Sequence, residues 1–366
     1  MEIRNVGVEE ELLLVEAGAH RPAPVAEDVV ARSPRDRPGG DRLVEHELKR
    51  EQVEIGSPAT TSMADLHAEL VRLRRAAAET AAARGSTVVA VATSPERSEP
   101  STTPDPRYER LTAEYGLLAR QQLVCGQHVH VGTASRAEGV GVLDQLRGWL
   151  PVLTAVSANS PYWQGQDTGY QSFRSVLWGR WPTAGPTEVF GTVAAYDATV
   201  AELLESGTVL DDGMIYFDAR LSVHYPTVEI RVADVCTDVR DAVLVAALAR
   251  ALVDTAASRW QAGEPAPPIR TVLLRAAAWR AARSGLAGEL VDPRTGKPVP
   301  GWQLVGELVE LVGPALDRAG DAQLVADGLA RLRAHGTGAD RQRAAFAARA
   351  SLRDVVADAA ARTLHG

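Results

Sequence analysis

Three acids in a row interrupt an otherwise apolar run near the start of the chain, Val6-Gly7-Val8-Glu9-Glu10-Glu11-Leu12-Leu13-Leu14-Val15. Strand interiors favour β-branched and aromatic residues, so the acids stand out. With a side-chain period of two, Glu9 and Glu11 share one face of a strand, and Val8, Glu10, Leu12 and Leu14 share the other. Two bare carboxylates ~5 Å apart repel by roughly 3 kcal/mol at an effective dielectric of about 20. A buried sheet keeps such a pair when something positive sits between them, and hard divalent cations with oxygen ligands suit that role. The other reading is a solvated edge strand with its acids in water.

More acids, two histidines and an arginine recur on stretches of the same kind. In Glu45-His46-Glu47-Leu48-Lys49-Arg50-Glu51-Gln52-Val53-Glu54-Ile55, the end alternates like a strand, Val53 and Ile55 against Gln52 and Glu54. Glu47 and Glu54 are an odd number of residues apart and would face opposite sides of one regular strand. A shared site therefore needs Glu47 in a turn or beyond a bulge. In Gly126-Gln127-His128-Val129-His130-Val131-Gly132, alternation puts His128 and His130 on one face. Over 227–235, Val228, Ile230 and Val232 form an apolar face, with Glu229 and Arg231 together on the opposite one and Asp234 following. A sheet with one apolar face and one face studded with acids, a histidine and an arginine makes a floor for metal ions. Carboxylates dominate, which favours Mg²⁺ or Mn²⁺ over zinc. Such ions are normally completed by phosphates, which points to a nucleotide. No GxxxxGK[ST] loop and no GxGxxG after a strand is present, so ATP would be held through metals and arginines. No GxSxG elbow supports a serine hydrolase.

These stretches need a scaffold. Ser62, with Asp65 three residues on, reads as the N-cap of a helix running to Gly85, followed by an apolar strand over 87–92. The stretch 18–40, rich in Pro, Arg and Asp, reads as an irregular excursion. A helix over 108–121 leads into the histidine strand, and a long amphipathic helix over 136–158 is bent or interrupted near Pro151. The loop over 159–182 concentrates aromatics, amides and arginines, a composition suited to recognising a small polar ligand or to forming a rigid aromatic plug. Strands follow over 214–221 and 227–235. From Asp238 onward the chain is Ala-, Leu- and Arg-rich with helical periodicity, broken near 263–268 and 292–300. The expected architecture is a mixed sheet covered on one side by helices.

Composition narrows the function classes. A net charge of -8 over 366 residues argues against nonspecific nucleic-acid binding, which requires a basic face. Two cysteines, Cys125 and Cys236, in no metal-ligand spacing fit a reducing cytosol and read as small apolar fillers. No signal-peptide pattern and no long apolar window are present, so a cytoplasmic enzyme without membrane attachment is expected. An acidic surface with helices in the C-terminal half permits a homodimer without requiring it.

The motifs Gly7-Val8-Glu9-Glu10-Glu11, Gln52-Val53-Glu54-Ile55, Gly126 to Gly132, Ala158-Asn159-Ser160-Pro161-Tyr162-Trp163 and Val228-Glu229-Ile230-Arg231-Val232-Ala233-Asp234 resemble the second-type bacterial glutamate–cysteine ligase family, the carboxylate–amine ligases. The likeness runs in order over nearly the whole chain and includes Trp279-Arg280-Ala281-Ala282-Arg283-Ser284-Gly285-Leu286 and Arg341-Gln342-Arg343. The resemblance implies an α+β, glutamine-synthetase-like fold: a largely antiparallel curved sheet with helices on one face, its curved face binding ATP and divalent cations. It implies that Glu9, Glu11, Glu54 and Glu229 are metal ligands, with Glu47 matching an acidic position of the broader superfamily. By the same resemblance, His128 lies at the metal or phosphate site, Arg231 contacts the transferred phosphate, and Asn159, Tyr162 and Arg174 bind substrate. Gln127 departs from the pattern, since relatives commonly carry methionine there, but it points away from the metal face. One catalytic domain over 1–366 is expected, sheet-rich over 1–236 and helical over 237–366. The implied activity is ATP-dependent amide formation on small amino-acid substrates through an acyl phosphate. The alternatives are a nucleotide- or amino-acid-binding homologue that ligates weakly, and a phosphotransferase acting on a guanidino or carboxylate group.

Overall fold

The structure, a computed structural model, describes residues 3–35 and 42–365. Its strands are β1 (Val6–Glu16), β2 (Val44–His46), β3 (Gln52–Gly56), β4 (Ser86–Val89), β5 (Gly126–Gly132), β6 (Tyr162–Trp163), β7 (Gln166–Asp167), β8 (Ala219–Leu221), β9 (Thr227–Asp234), β10 (Glu289–Asp292) and β11 (Lys297–Pro300). Seven of them form one sheet in the order β2-β3-β1-β5-β9-β8, with β4 also pairing β1. Every pairing in it is antiparallel, so the sheet is not mixed. β6 with β7 and β10 with β11 make two small hairpins.

Alternation decides which side of the sheet is covered. Val6 and Val8 of β1, Val129 and Val131 of β5, and Val228 and Ile230 of β9 are all buried in one core with Val243, Leu244 and Leu248 of the helix Val239–Gln261. Every residue of that helix from Ala242 to Val253 is buried, which makes it the central post of the helical layer. A second core joins Leu12, Leu14, Val53, Ile55 and Val88 to the helix Met63–Ala82 and the last helix, Leu352–Thr363. Glu10 points into this covered side, where its carboxylate forms a fully buried ion pair with Arg74 at 2.6 Å.

The helix Met63–Ala82 starts as expected, with the Ser62 hydroxyl accepting from the Asp65 N–H at 3.1 Å. The helix expected over 108–121 is two, Pro106–Tyr115 and Leu117–Gln121, split where Gly116 adopts φ +57. The helix expected over 136–158 is interrupted before Pro151 rather than merely bent, giving Arg136–Leu146 and Leu150–Ser157 joined by a 3-10 turn. Its first half is buried on all sides from Glu138 to Leu146, so it is not amphipathic. The excursion over 18–40 holds a short helix, Ala26–Arg32, whose Val29 and Val30 pack on the second core; residues 36–40 of that reading lie outside the described residues. The strand read over 214–221 shortens to β8, and its expected start, Met214, ends a 3-10 turn over 212–214. Among the described residues, no helix is long and apolar enough to cross a membrane.

Candidate active site

The uncovered face of the sheet carries a cleft of about 300 Å³. Strand register brings the acids to it. Glu11 stands opposite Glu54 across β1 and β3, and Glu9 opposite His128 across β1 and β5. Glu229 stands opposite His130 across β5 and β9, where a shift between Gln127 and Val129 interrupts regular pairing. Glu47 lies just past the end of β2, in the turn leading to β3. Leaving the strand resolves the parity problem, because no regular register then forces Glu47 away from Glu54. Its Oε2 accepts the Leu48 N–H at 2.7 Å.

Two constellations result. Glu9, His128 and Glu229 can each offer a ligand atom, all within 4.8 Å of one another, and Glu11, Glu47 and Glu54 do the same. Like charges directly opposite one another on a sheet are destabilising, so the second group is a cluster of uncompensated carboxylates. Burial and the neighbouring Glu11 push the Glu47 carboxyl up to about 7. Burial, with Glu9, Glu47 and Glu11 nearby, pushes Glu54 well above the usual range. The first group behaves differently. Burial opposes ionisation of Glu9, but hydrogen bonds from His128 and His130 prevail and hold it well below the usual range. Glu229 is likewise held down against burial by Arg231 and Arg220.

Arginines frame this floor. Arg220 Nε donates to Glu229 Oε2 at 2.7 Å, and Arg231 donates to Glu229 Oε1. The Arg231 guanidinium lies 5.7 Å from the Trp178 ring centre and 5.9 Å from that of Tyr216, within cation–π range. Its Nε is buried without a partner, as is His128 Nε2. Burial and Arg231 lower the His128 pKa, which favours a neutral imidazole with a lone pair to offer. The donor set therefore fits divalent cations: carboxylate oxygens in excess, one imidazole, no thiolate, and an orphaned nitrogen.

The metal candidates Glu9, Glu11, Glu47, Glu54 and Glu229 thus meet in one cleft with His128 and Arg231. The three substrate candidates do not join them. Asn159 is fully buried with its bonding capacity spent: its N–H donates to Asp234 at 2.8 Å and its amide to the Ala90 and Val235 carbonyls at 3.0 and 2.7 Å. Its Oδ1 accepts from Gln342 at 2.8 Å. Tyr162 is buried against Phe346, ring centres 5.6 Å apart. Both belong to a plug in which Ser160 and Ser172 donate to Asp234, each at 2.7–2.8 Å. The early part of the loop over 159–182 forms this plug, whereas Trp178 and Trp181, later in the same loop, line the cleft. Arg174 lies on the border. It is 1% exposed, its Nη2 donates to the Arg231 carbonyl at 3.3 Å, and it forms the floor of a neighbouring chamber.

Sequence reasoning passed over Arg220, Arg107 and Tyr108, which also line the cleft. Arg220 was legible in principle, since it shares the face of Glu229 once β8 and β9 are paired as a hairpin. Arg107 is fixed by Asp211 at 2.7 Å, a partner 104 residues away that no local pattern reveals.

Comparison with known proteins gives the family. The family model described as glutamate-cysteine ligase family 2 (GCS2) matches residues 5–358. A protein of Frankia alni, provisionally named glutamate–cysteine ligase 2-2, is 55% identical over 365 residues, covering 97% of this chain and 95% of its own. A Streptomyces coelicolor protein, provisionally named glutamate–cysteine ligase 2, is 50% identical over 361 residues and 99% of both chains. Among solved structures, the glutamate–cysteine ligase of Francisella tularensis in complex with AMP superimposes with a TM-score of 0.68 at 12% identity, over 100% of this chain and 90% of that one. A bifunctional glutathione synthetase from Pasteurella multocida gives 0.68 at 17% identity, over 99% and 52%. At such identities the two structures bear on the fold alone.

Proposed function

The chain belongs to glutamate–cysteine ligase family 2, and from that premise we propose that it activates a carboxylic acid, glutamate or a close analogue, as its acyl phosphate at the expense of ATP. ADP leaves, and an amine then takes the acyl group with release of phosphate. The observation that carries this reading is the pair of ligand groups, Glu9–His128–Glu229 and Glu11–Glu47–Glu54, lining one cleft with Arg231.

The obstacle in this chemistry is charge, because a carboxylate must approach a polyanion. Divalent cations, Mg²⁺ or Mn²⁺, held by those two groups would supply the positive charge that offsets this repulsion. The chain's own residues do the rest. Glu229 and the Trp178 and Tyr216 rings fix the Arg231 guanidinium, so its remaining N–H groups are pre-aimed at the equatorial oxygens of a phosphoryl group in transfer. Arg220 holds the second oxygen of Glu229 and keeps that carboxylate ionised and immobile. His130 orients Glu9 from a distance of 3.3 Å, and His128, whose Nδ1 also faces Glu9, presents the lone pair of its unpartnered Nε2. No covalent intermediate on the enzyme is needed.

The test is acid-dependent ADP release in the presence of hydroxylamine, which traps an acyl phosphate as a hydroxamate. We expect ADP and hydroxamate in equal amounts with glutamate and Mg²⁺, and neither after chelation. Absence of both products across a panel of amino and dicarboxylic acids would overturn the proposal.

A further inference from the structure

A second chamber, of about 230 Å³, opens beside the metal cleft and shares Trp178 and Arg231 with it. Asp218 and Arg275 also line it, with Arg174 at the bottom. The sheet explains how Asp218 comes to be there. Arg220 is opposite Glu229 on the cleft face, and Asp218, two residues earlier, is on that same face, its carbonyl accepting the Arg231 N–H at 2.9 Å. Yet its carboxylate makes no hydrogen bond or ion pair among the described residues; Arg275 and Arg174 act on it only through space. Arg174 Nε is buried and equally without a partner. A Cβ on Gly126 would lie 2.2 Å from Arg174 Nη2, so the glycine is what lets this guanidinium lie under the chamber.

Uncompensated groups of both signs facing one small space call for a ligand that carries both signs. Ligand clefts usually begin at about 300 Å³, so a chamber of about 230 Å³ suits one molecule of amino-acid size. Its remaining walls are mainly apolar, Trp178, Trp279, Pro151 and Pro186 among them, and the two hydroxyls there are engaged within the chain, Thr154 with the Leu150 carbonyl and Ser175 with Ser172. We propose that this chamber binds the acceptor of the ligation, and that the acceptor is an α-amino acid with an apolar side chain larger than that of cysteine, a proposal that rests on the ligase reading above.

In that arrangement Asp218 takes the ammonium, Arg275 the α-carboxylate, and the rings and prolines the side chain. The reacting nitrogen then lies on the side of the chamber bounded by Arg231. Burial pushes the Asp218 carboxyl up to about 7, against the pull of Arg275 and Arg174, so it is matched to accepting a proton near neutrality. In the transfer, one ammonium proton passes to Asp218 and the freed nitrogen bonds to the acyl carbon. The carbon–oxygen bond to the phosphoryl group breaks, and phosphate leaves with that electron pair and the second proton.

The experiment uses the full chain with ATP, Mg²⁺ and glutamate, and compares L-leucine, L-phenylalanine, L-cysteine, leucinamide, N-acetyl-L-leucine and hydroxylamine as acceptors. Leucine or phenylalanine should exceed cysteine at least tenfold in kcat/KM, leucinamide should fall at least tenfold below leucine, and N-acetyl-L-leucine should be inert. Asp218→Asn should depress leucine-dependent ADP release at least tenfold more than hydroxylamine-dependent release, and Trp279→Ala should erode the preference for large side chains. A preference for cysteine, or equal loss in both assays for Asp218→Asn, overturns the proposal while leaving the ligase reading intact. If hydroxylamine yields no product with any acid, the ligase reading has failed. Calorimetric titration with L-leucine alone then decides: saturable binding that Asp218→Asn abolishes retains the site, and no binding removes it.

Discussion

The two faces of β1 treat the same residue type in opposite ways. On the covered face, Glu10 meets Arg74 through two hydrogen bonds of 2.6 and 2.7 Å, and the arginine's other donors reach the Cys236 and Thr237 carbonyls at 2.7 and 2.8 Å. Every charge there is answered within the chain. On the open face, one residue to either side, Glu9 and Glu11 join Glu47, Glu54 and Glu229, with Arg220 and Arg231 both drawn to Glu229. Carboxylates outnumber guanidiniums, and the shortfall gathers at Glu11, Glu47 and Glu54. Burial of a charge is therefore not what marks a functional site in this protein. What marks it is burial without a paired opposite charge, because a fold tolerates that only where something from outside completes the set.

The largest effect expected from breaking this contrast is on turnover. Glu54→Gln or Glu229→Gln should lower metal-dependent ADP formation by about 10³-fold or more, some 4 kcal/mol of barrier, while circular dichroism keeps its wild-type form. Near-normal turnover in either variant would remove the site assignment. On the covered face the loss should be of stability instead. Arg74→Ala strands Glu10 in an apolar layer and should cost about 3–5 kcal/mol in urea denaturation. Pairing it with Glu10→Leu should recover only part, because the carbonyls that Arg74 serves stay unsatisfied; an Arg74→Ala variant as stable as wild type would erase the distinction between the faces.

Smaller shifts sharpen the comparison. Saturating Mg²⁺ or Mn²⁺, at about 100 times its dissociation constant, should stabilise the wild type by about 2.7 kcal/mol, read as a higher Tm. Glu11→Gln should shrink that increment, and an undiminished one would place the ion elsewhere. The smallest expected effect is at Asp218. Its folded-state value of about 7 lies above the ordinary aspartate value of about 3.9, so the folded chain holds a proton there that the unfolded chain has released. Stability from this group is therefore lost as pH rises through that window. Asp218→Asn should gain on the wild type between pH 5 and pH 8 in paired urea midpoints, and a difference that does not change with pH would contradict the shift.

Much of the open face was legible in the sequence because strand parity is a strong rule. Glu9 with Glu11, His128 with His130 and Glu229 with Arg231 each share a face by simple alternation, and the structure keeps them so. Glu47 was legible as a condition, that it must escape the strand, and it does so at the end of β2. The loop over 159–182 divides between its two readings, since Asn159 and Tyr162 pack a plug while Trp178 and Trp181 line the cleft, and only partners distant in sequence distinguish the two. The helix over 136–158 misled for a related reason. Periodicity reports a solvent face, and Arg136–Leu146 has almost none. Asp218, flanked by Phe217 and Ala219, acquires its significance only when β8 meets β9.

Arg74 has one more acceptor, the Thr363 carbonyl at 3.4 Å, and the Thr363 hydroxyl in turn accepts the Ala90 N–H at 2.9 Å. The tail of the polypeptide is thus clasped directly beneath the strand that carries Glu9 and Glu11. Clipping Leu352–Thr363 would uncover Val88 and Ala90 and loosen the seat of Glu10, so damage at the far terminus should register as lost cation affinity at the opposite end of the sequence.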